Sequence, residues 1–166
     1  MACEYIANPV QTIALNNPAI FSDSIPCRRG WIYHEDGTGI FEVARRNNNR
    51  RRNCGCNCGC CSNTSDYKVD FNGNIAIPEG GTVGPIAMGI FVNGVLVEGT
   101  KAIYTPTAVD TYQNVSCTKI IKVPCNCGCK TVTVGYVNGS VDDPTFVPTP
   151  VINLANANLQ ITPVND

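Results

Sequence analysis

The residues with most capacity for chemistry are thiols. The chain carries eleven cysteines in 166 residues. Eight of them fall in two patches, Cys54-Gly55-Cys56-Asn57-Cys58-Gly59-Cys60-Cys61 and Cys125-Asn126-Cys127-Gly128-Cys129. Glycine and asparagine between the thiols allow tight turns and left-handed backbone. Thiols at this density form disulfides, bind soft metal, or tie one subunit to another. The disulfide reading takes Cys3, Cys27, Cys54, Cys56, Cys58, Cys60, Cys61, Cys125, Cys127 and Cys129 as cross-link candidates. Adjacent Cys60 and Cys61 would point to different partners, because a ring closed between neighbours is strained. Cys3, in an N-terminal arm, and Cys27, after Pro26, are placed to reach a neighbouring copy. An odd count leaves at least one thiol free, metal-bound or paired between chains. Cys117 sits mid-strand in the long β-like run Thr111–Val123 and reads as an ordinary buried thiol.

The metal reading uses Cys56, Cys60, Cys125 and Cys129, whose two x3 pairs form a four-thiolate set for zinc or another soft ion. The disulfide reading requires no cofactor. Thiol exchange lacks its usual frame, since there is no βαβ unit and no Cys-x-x-Cys of thioredoxin type.

Other catalytic apparatus is hard to find. There is one histidine, His34. Glu35-Asp36 and Asp142-Asp143 pair carboxylates in turn contexts, where acids are ordinary. The second pair offers calcium only the chemistry of a solvated turn. Trp31 and Tyr33 suggest a sugar platform, but a tryptophan in a strand more often packs the core. No phosphate loop or nucleophile elbow is present. The chain reads as a non-enzyme.

Charged residues make up 15% of the chain and the net charge is −1. Such a surface suits a particle packed among copies of itself. Arg45, Arg46, Arg50, Arg51 and Arg52 concentrate five positive charges, and without them the remainder would stand near −6, that is −1 minus 5. No aromatic residue is interleaved to stack on bases, so nucleic acid is not an expected partner. No apolar segment approaches the roughly 18–20 residues of a membrane span, so no membrane is expected either. The start, Met1-Ala2-Cys3-Glu4-Tyr5, lacks the pattern of a classical signal peptide. Cysteine usage nevertheless fits an extracellular or particle-surface setting reached without one, for example by release on lysis.

The elements that must position these residues are strands. Short β-like runs are punctuated by Gly, Pro, Asn and Thr: Val10–Leu15, Gly30–His34, Gly39–Ala44, Tyr67–Ile77, Pro85–Val92, Val95–Tyr104, Thr111–Val123, Thr131–Val137 and Val151–Thr162. Asn93-Gly94 is a strong hairpin signal. The pattern predicts an all-β, jelly-roll β-sandwich of about nine or ten antiparallel strands. Residues 1–20 read as an N-terminal arm and first strand, with Tyr5, Ile6, Pro9 and Val10 as connector residues that add a strand to a neighbour. Residues 21–166 read as the domain, interrupted by an Arg/Asn/Cys-rich loop insertion over 45–65 that cannot pack a core. The two cysteine patches are expected at the same end of the sandwich.

The stretches Tyr67–Ile77, Phe91–Val95, Ile120–Val123, Val132–Val134 and Ala157–Ile161 resemble the jelly roll of tumour necrosis factor and the complement globular head. The opening Ala7–Leu15 and Pro26–Gly30 also resemble small proteins of this type from Clostridia-like bacteria and their phages. The resemblance implies a ten-stranded sandwich, commonly trimeric, found on spore surfaces, filaments and virions. The expected role is a self-assembling structural subunit of an extracellular fibre, spore appendage or virion, locked by intermolecular disulfides, with itself as partner. Two alternatives stand beside it: a trimeric binding head for a carbohydrate or protein receptor, and a metal-binding cysteine cluster.

Overall fold

The computed structural model describes residues 2–25, 27, 31–44, 65–123 and 129–164. Every regular element among them is a strand, and every pairing is antiparallel. In chain order these are β1 (Cys3–Ala7), β2 (Gln11–Ala14), β3 (Ser22–Ile25), β4 (Ile32–His34), β5 (Phe41–Val43), β6 (Ser65–Ala76), β7 (Ile86–Val92), β8 (Val95–Leu96), β9 (Ala102–Tyr104), β10 (Gln113–Val123), β11 (Lys130–Asn138) and β12 (Val151–Pro163). The first sheet runs β10-β6-β12-β1-β3, with β2 also on β12. The second runs β4-β5-β11-β7-β8, with β9 also on β7. This is the expected all-β jelly-roll sandwich.

The long strands alternate because one face meets the other sheet. Along β6, Tyr67, Val69, Phe71 and Ile75 are buried while Lys68 and Asn72 are exposed. Tyr5, Phe21, Phe41 and Phe71 bridge the sheets as a chain of tilted and edge-to-face rings, with centroids 4.6, 5.8 and 6.5 Å apart. Such geometry suits the ring quadrupoles. In β7 and β11 both faces are partly covered, so Ala87, Gly89, Gly135 and Val137 are buried too. There the 16–19 segment crosses from β2 to lie along β11, through bonds Asn16 N–H to Tyr136 C=O (2.8 Å) and Ala19 N–H to Val134 C=O (2.8 Å).

Two sequence expectations change. The arm is not free. β1 lies inside the first sheet, bonded to β12 on one side and β3 on the other, and Tyr5 is core. Its alternation of buried Cys3, Tyr5 and Ala7 with less buried Glu4 and Ile6 is that of a half-buried strand. Tyr5 and Ile6 are therefore fixed in this chain's own sheet rather than connectors. Pro9 and Val10 form the break between β1 and β2. There are also more strands than expected, because Cys3–Ala7 and Ser22–Ile25 are strands and Val95–Tyr104 divides into β8 and β9. Asn93 (φ 51°) and Gly94 (φ 77°) form the expected hairpin turn between β7 and β8.

Candidate functional site: the cysteine-bearing end

The strand register brings the cysteine-bearing segments to one end. The insertion leaves after Ala44, directly beyond β5, where Val43 pairs with Lys130 of β11. It returns at Ser65, which pairs with Val123 at the end of β10. The second patch connects those same two partners, Val123 and Lys130. Both ends of the insertion are therefore bonded to the two strands that flank the second patch. Val43, Ser65 and Val123 are buried. The Tyr67 hydroxyl donates to the Ala44 carbonyl, and Ala44 N–H to the Trp31 carbonyl at 2.7 Å. Cys54, Cys56, Cys58, Cys60, Cys61, Cys125 and Cys127 themselves lie outside the described residues, as do the five arginines from Arg45 to Arg52.

Cys3 and Cys27 are at this end too. Cys3 pairs with Ile161, close to where β12 runs out at Pro163, opposite Tyr67. Cys3 and Cys27 form a disulfide with Cα atoms 5.2 Å apart. Both were expected to reach a neighbouring copy; they are bonded to each other, because β1 brings a fully buried Cys3 under the segment that follows β3. Cys129, placed above among four metal ligands, is disulfide-bonded. A disulfide sulfur lacks the thiolate charge a soft metal needs, so in this oxidised form Cys129 is not available to the four-thiolate set. Its other three members, Cys56, Cys60 and Cys125, are not described. Among the described residues no group of three or more His, Cys, Asp or Glu side chains is arranged to hold a metal ion. Cys117 is a free, buried thiol, as expected. Burial first, and the nearby Asp70 charge second, push it up to about 12.

The outward face of the first sheet is the other candidate surface. It is a ladder of amides and hydroxyls. Asn114 Nδ2 donates to Asn74 Oδ1 (3.2 Å), Thr118 Oγ1 to Asp70 Oδ1 (2.6 Å), Thr12 Oγ1 to Asn153 Oδ1 (3.1 Å), and Asn158 Nδ2 to Glu4. Lys68 pairs with Asp70 at 3.0 Å. Beside it lies a shallow hollow of about 370 Å³, bordered by Ile6, Pro9, Gln11 and Ile20. The Gln11 amide bonds both backbone groups of Ile20, at 2.8 and 2.9 Å, as a neighbouring strand would.

The remaining candidates resolve structurally. Asp143 accepts from the hydroxyl (2.6 Å) and N–H (2.9 Å) of Thr145, and these bonds hold its carboxyl below the usual range. It organises a turn, as expected. Trp31 is half-buried against the core and Tyr33 is exposed. His34 was read only as a lone imidazole; its ring is inside the fold, next to Asp23. Nothing in the run Ser22-Asp23-Ser24-Ile25 has apolar alternation, so the sequence gives no sign of the strand that carries this partner.

No protein-family model and no curated protein matches the chain. Solved structures do. The globular domain of zebrafish complement 1qA protein superposes with a TM-score of 0.55 at 12% identity, covering 96% of this chain and 93% of that one. The Eiger TNF of S. frugiperda gives 0.60 at 8% identity, with 100% and 93% covered. Murine APRIL gives 0.56 at 9%, with 99% and 100% covered. Over its whole length, then, the chain has the jelly-roll fold shared by the complement globular head and the tumour necrosis factors.

Proposed function

We propose that the protein is a non-enzymatic jelly-roll head that associates with copies of itself, as a homotrimer, and recognises a carbohydrate or protein receptor outside the cell. The observation that carries this reading is the likeness to the complement and tumour necrosis factor heads, which covers 96–100% of this chain. Self-association is further supported by the outward face of the first sheet. That face is hydrogen-bonded from strand to strand and carries few charges to repel a second copy. Sedimentation of the purified protein tests it. A species of three chains that binds an arrayed glycan or a cell-surface protein supports the head; a strict monomer overturns it.

A second reading is favoured by a separate observation. The segments bearing the two cysteine patches are anchored at one end, next to Cys3–Cys27. Bonds between copies at that end would make a covalently locked subunit of a fibre, spore surface or virion. Non-reducing electrophoresis after thiol capping decides it. A ladder that collapses to the 17.8 kDa chain on reduction supports locking, and one band in both lanes removes it. Zinc or another soft metal at the patches is the third outcome, read by metal analysis of the same sample.

A further inference from the structure

The outward faces of the two sheets differ. The first is a ladder of amides, hydroxyls and charged side chains, as suits an antiparallel sheet that faces water. The second is apolar. Ile86, Met88 and Ile90 of β7 belong to the core, which turns Ala87, Gly89 and Phe91 to the other face. The register fixes what lies beside them. Ala87 is between Val137 of β11 and Ile103 of β9, and Phe91 is between Thr133 of β11 and Leu96 of β8. None of these positions carries a charge. Gly89 makes the rows continuous. A Cβ there would stand 2.6 Å from Leu96 Cδ1 and 3.5 Å from Val137 Cγ2, so the leucine lies across the glycine. Phe91 and Leu96 are half-buried, and Ile103 is 41% exposed. A continuous apolar strip turned outward marks an interaction surface.

The rim of the strip says what kind of partner it fits. Between β8 and β9 the chain leaves the sheet edge in the turn Val97–Thr100, with Gly99 at φ 77°. Thr100 fixes that turn. Its hydroxyl donates to the Val97 carbonyl at 2.7 Å and accepts the Ile90 N–H at 3.1 Å. The turn presents Glu98 to solvent, and Lys101 follows it, also exposed. Among the described residues neither forms an ion pair. One acid and one base beside an uncharged strip form a self-complementary rim. In a two-fold contact each residue meets the other kind on the second copy. An apolar centre with a charged rim is also the usual anatomy of a protein interface. Because the turn is already ordered, little freedom is lost on docking.

We propose that the outward face of the second sheet docks on the same face of a second copy. Phe91, Leu96 and Ile103 form the centre of the contact, and Glu98 of each copy pairs with Lys101 of the other. This contact is separate from the homotrimer proposed above and joins such trimers in pairs.

The test is sedimentation velocity of the full chain in mild reductant, which opens accessible disulfides between copies. Species of six chains are expected. Two chains would keep this contact while overturning the homotrimer, and one or three chains overturn the contact. Ile103→Lys places a charge at the centre and should weaken the pairing about tenfold or more, halving the mass at dilute concentration. Glu98→Lys, on an exposed turn, should act the same way by setting lysine against lysine. Glu98→Lys combined with Lys101→Glu should restore the pairing. Circular dichroism shows that each variant is folded. An unchanged mass in folded Ile103→Lys, or a double variant as weak as Glu98→Lys alone, overturns the contact.

Discussion

Burial and partner decide what each cysteine can do. Cys117 and Cys3 are both hidden in the core, yet one is a thiol and the other half of a disulfide. The nucleophile in thiol chemistry is the thiolate. With its titration pushed up to about 12 by burial, Cys117 holds almost none of it near neutrality. Native protein at about pH 8 should leave Cys117 unmodified by iodoacetamide, whereas unfolding should expose it; peptide mass mapping reads both. Tyr136 is fully buried and its hydroxyl donates to the Thr149 carbonyl at 2.6 Å. Burial raises it from 10.0 to about 12. The folded chain therefore holds this proton more tightly than the unfolded one. The stability it contributes is complete below pH 10 and declines as pH rises toward about 12. Tyr136→Phe should cost about 1–3 kcal/mol in urea unfolding, because a buried carbonyl loses its donor. It should also flatten the alkaline decline. At this scale the sequence was legible for Cys117, whose mid-strand place implied burial. It was silent on the partner of Cys3, because spacing does not encode disulfide connectivity.

Among elements, the strands read most clearly from sequence were those with two-residue alternation over a long run. β6, β10 and β12 fall within a few residues of their expected places. β1 was misread as an arm because Asn8-Pro9 ends it early and five residues carry little pattern. β3 was unreadable because an edge strand facing solvent needs no apolar side chains. β12 has its own irregularity, a register shift against β6 between Ala155 and Asn158. Asn156 takes φ 49° there, so one strand can pair with β6 along one edge and with β1 and then β2 along the other. Close approach sets further limits. A Cβ at Gly135 would stand 2.4 Å from the Asn17 carbonyl oxygen, where the chain crosses between sheets. Gly135→Ala should lower stability by about 1–3 kcal/mol, seen as a depressed melting temperature. Unchanged melting would mean the 16–19 segment yields freely. Removal of residues 2–8 should abolish cooperative unfolding, since it takes away a strand bonded on both sides and the Tyr5 ring that joins the sheets.

For the whole molecule, the core is continuous and built from both sheets. A chain of this length does not depend on a disulfide to fold. Cys3→Ser together with Cys27→Ser should lower stability by about 2–4 kcal/mol while leaving a folded protein, checked by denaturant titration and circular dichroism. Loss of folding would show that the bond positions β1 rather than merely securing it. The overall class was legible because strand periodicity and turn residues are local signals. The role was less so. Thiol spacing does not encode which cysteines join, and strand spacing says which end carries the patches but not what they join.

That end has a further meaning. Cys3 is near one chain terminus, and at the other Val164 donates its N–H to Asp66, one residue from the return of the insertion. Both termini therefore leave from the cysteine-bearing pole. A tether attached through either terminus would hold the molecule the same way up. The loops at residues 77–85, 105–112 and 139–150 would always point away from the anchor. For immobilisation or display, a tag at either terminus should give the same orientation, and those far loops are the face that an arriving molecule meets first.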